Sequence, residues 1–243
     1  MLISSRFPDG KRLRMTSSMS SAQDKFKKRV FLVDDHPLVR EWLTNLINQQ
    51  PDLVVCGESE SAPQALRTIL NSKPDAAIVD LSLRDSSGIE LIKDLSQSCP
   101  EVAVLVLSMH DESHYAERAL RAGAKGYVMK RETTRKVVEA IRRVLEGKLY
   151  VSDKVKEAMA EHFIQGKGPA ATRSPVEQLS DRELEVFEFL GQGSGTRQIA
   201  ETLHVSVKTV QAYCARIKEK LGVNSATELL REAIRWHETQ HPG

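Results

Sequence analysis

Five short apolar runs punctuate the chain between Lys28 and Gly147: Val30 to Val33, Leu53 to Cys56, Ala76 to Val79, Val102 to Leu107 and Tyr127 to Met129. Short uninterrupted runs of this kind read as strands buried on both faces. Segments of helical period separate them. Five strands alternating with five helices predict an α/β fold, a five-stranded doubly wound parallel sheet. The helices carry recognisable ends: Pro37 in the first turn of the first, Ser61 with Gln64 opening the second, Gly123 closing the fourth and Gly147 the fifth. Right-handed crossovers then place the crevice of such a sheet at the carboxyl ends of its strands.

Chemistry-bearing residues stand at those ends. The first run passes directly into Asp34 and Asp35, in "RVFLVDDHPLVR". Adjacent carboxylates repel unless a cation sits with them. Asp80 ends the third run, Ser108 the fourth, and Lys130 follows the fifth. Three converging carboxylates form the hard, oxygen-rich site that Mg²⁺ prefers. A hydroxyl and an ammonium aimed at one carboxylate are the parts needed to hold a phosphoryl group on Asp80. Taken singly each residue is ordinary, since an Asp at a strand end usually caps the next helix. Their convergence is not.

The pattern changes after Gly147. Val151 to Gln165 reads as one further helix, and "GKGPAATRSP", Gly166 to Pro175, has linker composition. Beyond it no strand signal occurs, and helical segments follow at Asp181 to Leu190, Thr196 to Leu203, Val207 to Leu221 and Ala226 to Trp236. The expected organisation is a disordered tail at 1–27, a first domain at 28–150, a helix and linker at 151–174, and a smaller all-α domain at 175–243. The tail, with further methionines at Met15 and Met19, is either merely mobile or a basic arm. Its first 28 residues hold seven Lys/Arg against two Asp/Glu, so the net charge of +2 for the whole chain hides a nearly neutral remainder. No domain is basic enough to announce nucleic acid by total charge.

In the last domain Ile199, Ala200, Leu203, Val205, Val210 and Ile217 form an apolar face that continues across the turn "HVSV" from one helix to the next. The second of these helices presents Lys208, Gln211, Ala212, Ala215, Arg216, Lys218 and Lys220 on its other faces. Its four cations against Glu219 leave +3 on one element. Local charge of this kind outweighs the domain sum within a Debye length of roughly 8 to 10 Å.

Two resemblances emerge. Asp34-Asp35, "AAIVDLSLRDSSG" ending in Gly88, "VLVLSMHDE" and "RAGAKGYVMK" strongly resemble the receiver domain of bacterial response regulators. By that resemblance Asp80 is the phosphoacceptor; Asp34, Asp35 and the backbone carbonyl of Ser82 complete an Mg²⁺ site with it; Ser108 and Lys130 bind phosphoryl oxygens; and Tyr127 is an aromatic switch that turns into the space Ser108 leaves. Arg84 stands where the family often has Pro. Residues 179–236, with "LSDRE", "GQG", "IAETL", "VSVKTVQ" and "KLGV", look like the LuxR-type DNA-binding domain. The pair of domains is that of the NarL/FixJ class. Its recognition helix implies base contacts from Lys208, Gln211, Ala212 and Ala215, and phosphate contacts from Thr209, Arg216 and Lys218. Gln211, Tyr213 and Thr196 depart from frequent Lys, His and Asn.

The resemblance implies a transcription regulator, a switch and not a turnover enzyme. Phosphoryl transfer from a sensor histidine kinase to Asp80 would control homodimerisation and binding to double-stranded DNA, with the receiver hindering the helix Val207 to Leu221 at rest. Two other classes compete. A phosphorylation-insensitive scaffold is disfavoured by the intact Asp80, Ser108 and Lys130; an Mg²⁺-dependent phosphatase expects a second acid two positions after its nucleophile, where Ser82 stands. No apolar stretch approaches the roughly 20 residues that span a bilayer, and no secretory apolar core precedes the first strand. The three cysteines, Cys56, Cys99 and Cys214, lack metal-ligand spacing and read as packing residues of a cytoplasmic protein.

Overall fold

The structure is a computed structural model that describes residues 27–83, 86–164 and 175–240. Nearly all of the basic tail, Arg84 and the linker stretch 165–174 lie outside the described residues. The first unit runs β1 (Lys28–Val33), α1 (Pro37–Asn48), β2 (Leu53–Ser59), α2 (Ala62–Ser72), β3 (Ala76–Val79), α3 (Gly88–Ser98), β4 (Ala103–Ser108), α4 (Glu112–Ala122), β5 (Gly126–Met129) and α5 (Thr134–Leu145). The strands form one parallel sheet in the order β2-β1-β3-β4-β5.

The apolar runs are continuous because alternate residues feed two cores. Phe31 and Val33 face one side with Ala77, Val79, Val104 and Val106, under α2, α3 and α4. Val30 and Leu32 face the other with Ile78, Leu105, Leu107 and Val128, under α1 and α5. A strand wetted on one face would have needed polar residues at every second position. Register aligns the strand ends: Val33 lies beside Val79, Val79 beside Val106, and Ser108 beside Met129. Residues 34, 80, 108 and 130 therefore emerge together.

Some local expectations need correction. Ser61 stands at the start of α2, but its side chain does not cap the helix; instead the Ser59 hydroxyl donates to the Ser61 carbonyl at 2.9 Å. The β2 strand extends to Ser59, because its pairing with β1 resumes after a register shift between Val30 and Phe31. A two-stranded ribbon, Ser82–Leu83 against Ser86–Ser87, follows β3 and lacks any apolar run long enough to announce it. It delivers the chain to α3 at Gly88, where a β-carbon would lie 2.1 Å from the Asp80 carbonyl oxygen. Only glycine permits that approach.

The chain continues with α6 (Asp153–Ile164), which packs on α4, then a short 3₁₀ turn (Pro175–Gln178), α7 (Asp181–Gly191), α8 (Thr196–Thr202), α9 (Val207–Leu221) and α10 (Ala226–Gln240). Ser180 and Glu183 close a reciprocal capping box on α7. Ile199, Ala200, Leu203, Val210 and Ile217 are buried as expected, and Val205 packs against them half-buried. Cys99 is buried, while Cys56 and Cys214 pack at the margin of the same cluster.

Candidate functional site

Asp34, Asp35 and Asp80 are 2%, 5% and 2% exposed, a degree of burial that carboxylates tolerate only with partners. Lys130 supplies one: its Nζ lies 2.7 Å from Asp34 Oδ2 and 2.7 Å from Asp80 Oδ2. Asp34 is further held by the His36 backbone N–H at 2.8 Å, and Arg40 donates to its carbonyl oxygen at 2.7 Å. His36 Nδ1 reaches Asp35 Oδ1 at 2.7 Å. One ligand atom from each of Asp34, Asp35, His36 and Asp80 falls within a 4.8 Å cluster. Two of the three carboxylates, Asp34 and Asp80, thus share one buried ammonium, while Asp35 meets His36. Burial lifts the Asp80 carboxyl to about 6, Lys130 opposing and the neighbouring Asp34 adding to the rise. Burial works against the charged form of Lys130, yet Asp80 and Asp34 more than offset it and hold its pKa above the ordinary value. The oxygen donors and their excess negative charge fit a hard divalent cation.

Ser108 lies fully buried beside this cluster, and its Oγ accepts the His110 backbone N–H at 3.3 Å. Tyr127 is also buried, and its hydroxyl donates to the His110 carbonyl at 3.0 Å. Burial pushes that hydroxyl well above its usual range, against the Ser108 hydrogen bond. The expected switch residue is therefore already turned inward. Ser82 donates its backbone N–H to Asp80 Oδ1 at 3.4 Å.

The helix α9 is a different environment. Val210 and Ile217 anchor it, and Ser206 caps it by accepting the Thr209 N–H at 3.0 Å. Lys208, Gln211, Ala212, Ala215 and Arg216 are exposed, with Thr209 and Lys218 partly so. Tyr213 packs inward with the Arg216 guanidinium 5.7 Å from its ring centroid. Lys220 is diverted, its Nζ 2.6 Å from buried Glu183 Oε2. Three of the four cations of the helix remain for an anionic partner.

The receiver does not engage the molecule where the sequence reading places its hindrance. Its hydrogen bonds and ring contacts with the last domain, among the described residues, fall on α7, on the 3₁₀ turn and on the far end of α10. Arg118 donates to the carbonyl oxygens of Val176, Glu177 and Leu179 and to Asp181. His110, Arg182, Glu185 and Glu188 meet beside the loop that follows Asp80, where His110 Nε2 lies 2.7 Å from the Ser82 hydroxyl. Sequence reasoning missed these residues, although "VLVLSMHDE" and "LSDRE" contain His110 and Arg182. The available signal was the spacing of three that sets Arg182, Glu185 and Glu188 along one side of the predicted helix.

Comparison with known proteins agrees with this geometry. Residues 30–142 match the family model described as response regulator receiver domain, and residues 177–233 that of bacterial regulatory proteins, luxR family. The oxygen regulatory protein NreC of Staphylococcus haemolyticus is 35% identical over 210 residues, covering 85% of this chain and 97% of that protein. A LuxR-family two-component response regulator from Aurantimonas sp. SI85-9A1 is similar in structure, with a TM-score of 0.53, 35% identity, and coverage of 57% of this chain and 99% of the other. RcsB from Salmonella enterica serovar Typhimurium, solved bound to promoter rprA with the phosphomimetic BeF3⁻, is similar at a TM-score of 0.53 and 26% identity, covering 84% and 97%.

Proposed function

This chain belongs to the NarL/FixJ class of two-component response regulators, and from that premise we propose that a phosphoryl group transferred to Asp80 controls its dimerisation and its sequence-specific binding to double-stranded DNA. The observation that carries the reading is the buried bridge of Lys130 between Asp34 and Asp80. It holds a carboxylate ready beside a cation that an incoming phosphoryl group also needs.

The donor is a sensor kinase's phosphohistidine. Its N–P bond breaks as an Asp80 carboxylate oxygen forms the new P–O bond, and the departing imidazole nitrogen takes up a proton. Lys130 pairs first with the carboxylate and then with a phosphoryl oxygen, so its charge stays matched through the transfer. The Ser108 hydroxyl donates to a second phosphoryl oxygen. Asp34, Asp35, Asp80 and the Ser82 backbone carbonyl would hold Mg²⁺, which when bound supplies charge neutralisation at the transferring phosphoryl group. His36 and Arg40 keep Asp34 oriented.

On DNA, α9 enters the major groove with Lys208, Gln211, Ala212 and Ala215 toward base edges. Thr209, Arg216 and Lys218 face phosphates. A homodimer then spans two half-sites. RcsB bound to its promoter beside a phosphomimetic is the relative that supports this link between the two events. The test is phosphorylation from a small donor such as phosphoramidate. Label uptake should need Mg²⁺, be hydroxylamine-labile and vanish in Asp80→Asn; undiminished labelling of that variant would reject Asp80 as acceptor.

A further inference from the structure

In "RVFLVDDHPLVR" the phosphoryl chemistry uses the two acids and leaves the side chain of the residue after them, His36, without a part. His36 stands at the N-cap of α1, where a side chain usually accepts an N–H of the first helical turn. Its side chain makes no such bond. The ring turns back onto the acids instead, with Nδ1 2.7 Å from Asp35 Oδ1 and 3.2 Å from Asp34 Oδ1. The backbone holds it there. Pro37 confines the residue before it to extended geometry, and His36 has φ −92° and ψ 110°. Its N–H donates to Asp34 Oδ1 at 2.8 Å, and its carbonyl accepts the Val39 and Arg40 N–H groups.

The carboxylates divide their oxygens between two neighbours. Lys130 takes Oδ2 of Asp34 and of Asp80, while Oδ1 of Asp34 and of Asp35 face the imidazole. Among the described residues, Asp34, Asp35, His36 and Asp80 make the one group of such side chains whose ligand atoms lie within metal-binding reach of one another. Donors at right angles on an octahedral ion, each about 2.1 Å from it, lie about 3.0 Å apart. The separations of 2.7 and 3.2 Å from His36 Nδ1 bracket that value. The His36 side chain is 60% exposed, which leaves Nε2 able to keep the ring's proton while Nδ1 gives its lone pair to an ion.

We propose that His36 Nδ1 is a further ligand of the metal at the phosphorylation site, and that it makes the site select first-row transition ions such as Mn²⁺ and Co²⁺ over Mg²⁺. The proposal rests on the assignment of Asp34, Asp35 and Asp80 as the carboxylates that hold the metal. Mg²⁺ is hard, prefers oxygen and keeps several waters, so a nitrogen donor adds little to its binding. Imidazole suits the first-row transition ions, whose affinity for a nitrogen and oxygen site rises from Mn²⁺ toward Cu²⁺. Carboxylates alone select by charge and size. One imidazole among them adds selection by softness. A ring that served only as an ion-pair partner of the acids would compete with every divalent ion alike and give no such preference.

The test uses the full-length protein as parent, His36→Ala and Asp35→Asn, each confirmed as folded by circular dichroism. His36→Ala keeps the backbone N–H that holds Asp34. Calorimetric titration gives the affinity of each protein for Mg²⁺ and for Co²⁺. His36→Ala should lower the ratio of Co²⁺ to Mg²⁺ affinity by at least about tenfold, the loss expected from disturbing even a hydrogen-bond partner of a metal ligand. Asp35→Asn should weaken both ions. The Mn²⁺-loaded proteins, grown with isotope-labelled histidine, are then compared by pulsed electron paramagnetic resonance. The parent should show a histidine nitrogen bound directly to Mn²⁺, and His36→Ala should not. An unchanged affinity ratio, no bound nitrogen in the parent, or a bound nitrogen that survives in His36→Ala and so belongs to another of the seven histidines would overturn the proposal. In each of these cases the carboxylate site stands as long as Asp35→Asn weakens Mg²⁺. If Asp35→Asn binds Mg²⁺ as the parent does, the carboxylate assignment fails and takes the proposal with it.

Discussion

Asp80 and Lys208 are charged residues of the two proposed sites, and the protein holds them in opposite ways. Asp80 is buried at a strand end, its position set by the register of β3 with β1 and β4 and its charge by Lys130. Lys208 projects from the first turn of α9 into solvent, and only the helix backbone places it. In the first region, removing a charge changes the energetics of the core. In the second, side chains can be exchanged with little effect on folding, because surface positions away from special contacts change stability by only about 0.5 kcal/mol either way. A receiver can therefore keep one chemistry while its output helix varies in the sequence it reads.

The largest expected effect is at Asp80. Asp80→Asn should lose phosphoryl uptake entirely, as labelling or intact mass would show. Three carboxylates cluster there and one ammonium bridges only two of them, so the same substitution should raise thermal stability in Mg²⁺-free buffer, by on the order of 1 kcal/mol. A loss of stability would show that the site is balanced without a cation, and would weaken the case for metal.

Next comes a buried charge in the other domain, which separates the effect of burial from that of the receiver. Burial works against the charged form of Glu183, but Lys220 and the Ser180 capping groups outweigh it and hold its pKa below the ordinary value. Its contribution is therefore present above about pH 4.5 and lost as pH falls through the lower folded value. Glu183→Gln should cost about 1 to 3 kcal/mol at pH 7, measured by denaturant unfolding, with the difference from the parent shrinking in acid. An unchanged midpoint would place Glu183 with the solvent-facing residues.

The smallest effects on folding belong to α9. Gln211→Ala should cost roughly 1 to 3 kcal/mol on a preferred site if its contact is bidentate, and little on random DNA. Lys218→Ala should weaken binding to all sequences alike and reduce the salt slope by about 1. Neither should move the unfolding midpoint. Equal losses on preferred and random DNA for Gln211→Ala would assign it to the phosphate backbone.

The same contrast explains what could be read from the sequence. Runs such as Val30 to Val33 are legible because burial on both faces demands unbroken apolarity, and once strands are placed, Asp34, Asp35, Asp80, Ser108 and Lys130 converge by topology alone. The hydrogen-bonded partner of a side chain is less legible. Ser61 looks like a cap, yet its side chain makes no capping bond, and its carbonyl accepts the Ser59 hydroxyl. The contacts of His110 with Glu185 and Glu188 belong to neither domain's pattern, because they depend on how the two domains pack together into one continuous apolar cluster. The inward position of Tyr127 depends on a backbone carbonyl, which every residue has. Hindrance of α9 is what the family resemblance implies, but the receiver's hydrogen bonds and ring contacts, among the described residues, fall on α7, the 3₁₀ turn and α10.

The proposed function requires that charge arriving in the buried region govern the exposed one. The most direct test is the affinity of the full-length protein for a duplex recovered by selection from a random pool, with Mg²⁺ and with or without beryllofluoride, in parent and Asp80→Asn. The mimic should tighten parent binding by about 5- to 150-fold and leave Asp80→Asn unchanged. Equal affinity with and without the mimic in the parent, or the same tightening in Asp80→Asn, would contradict it.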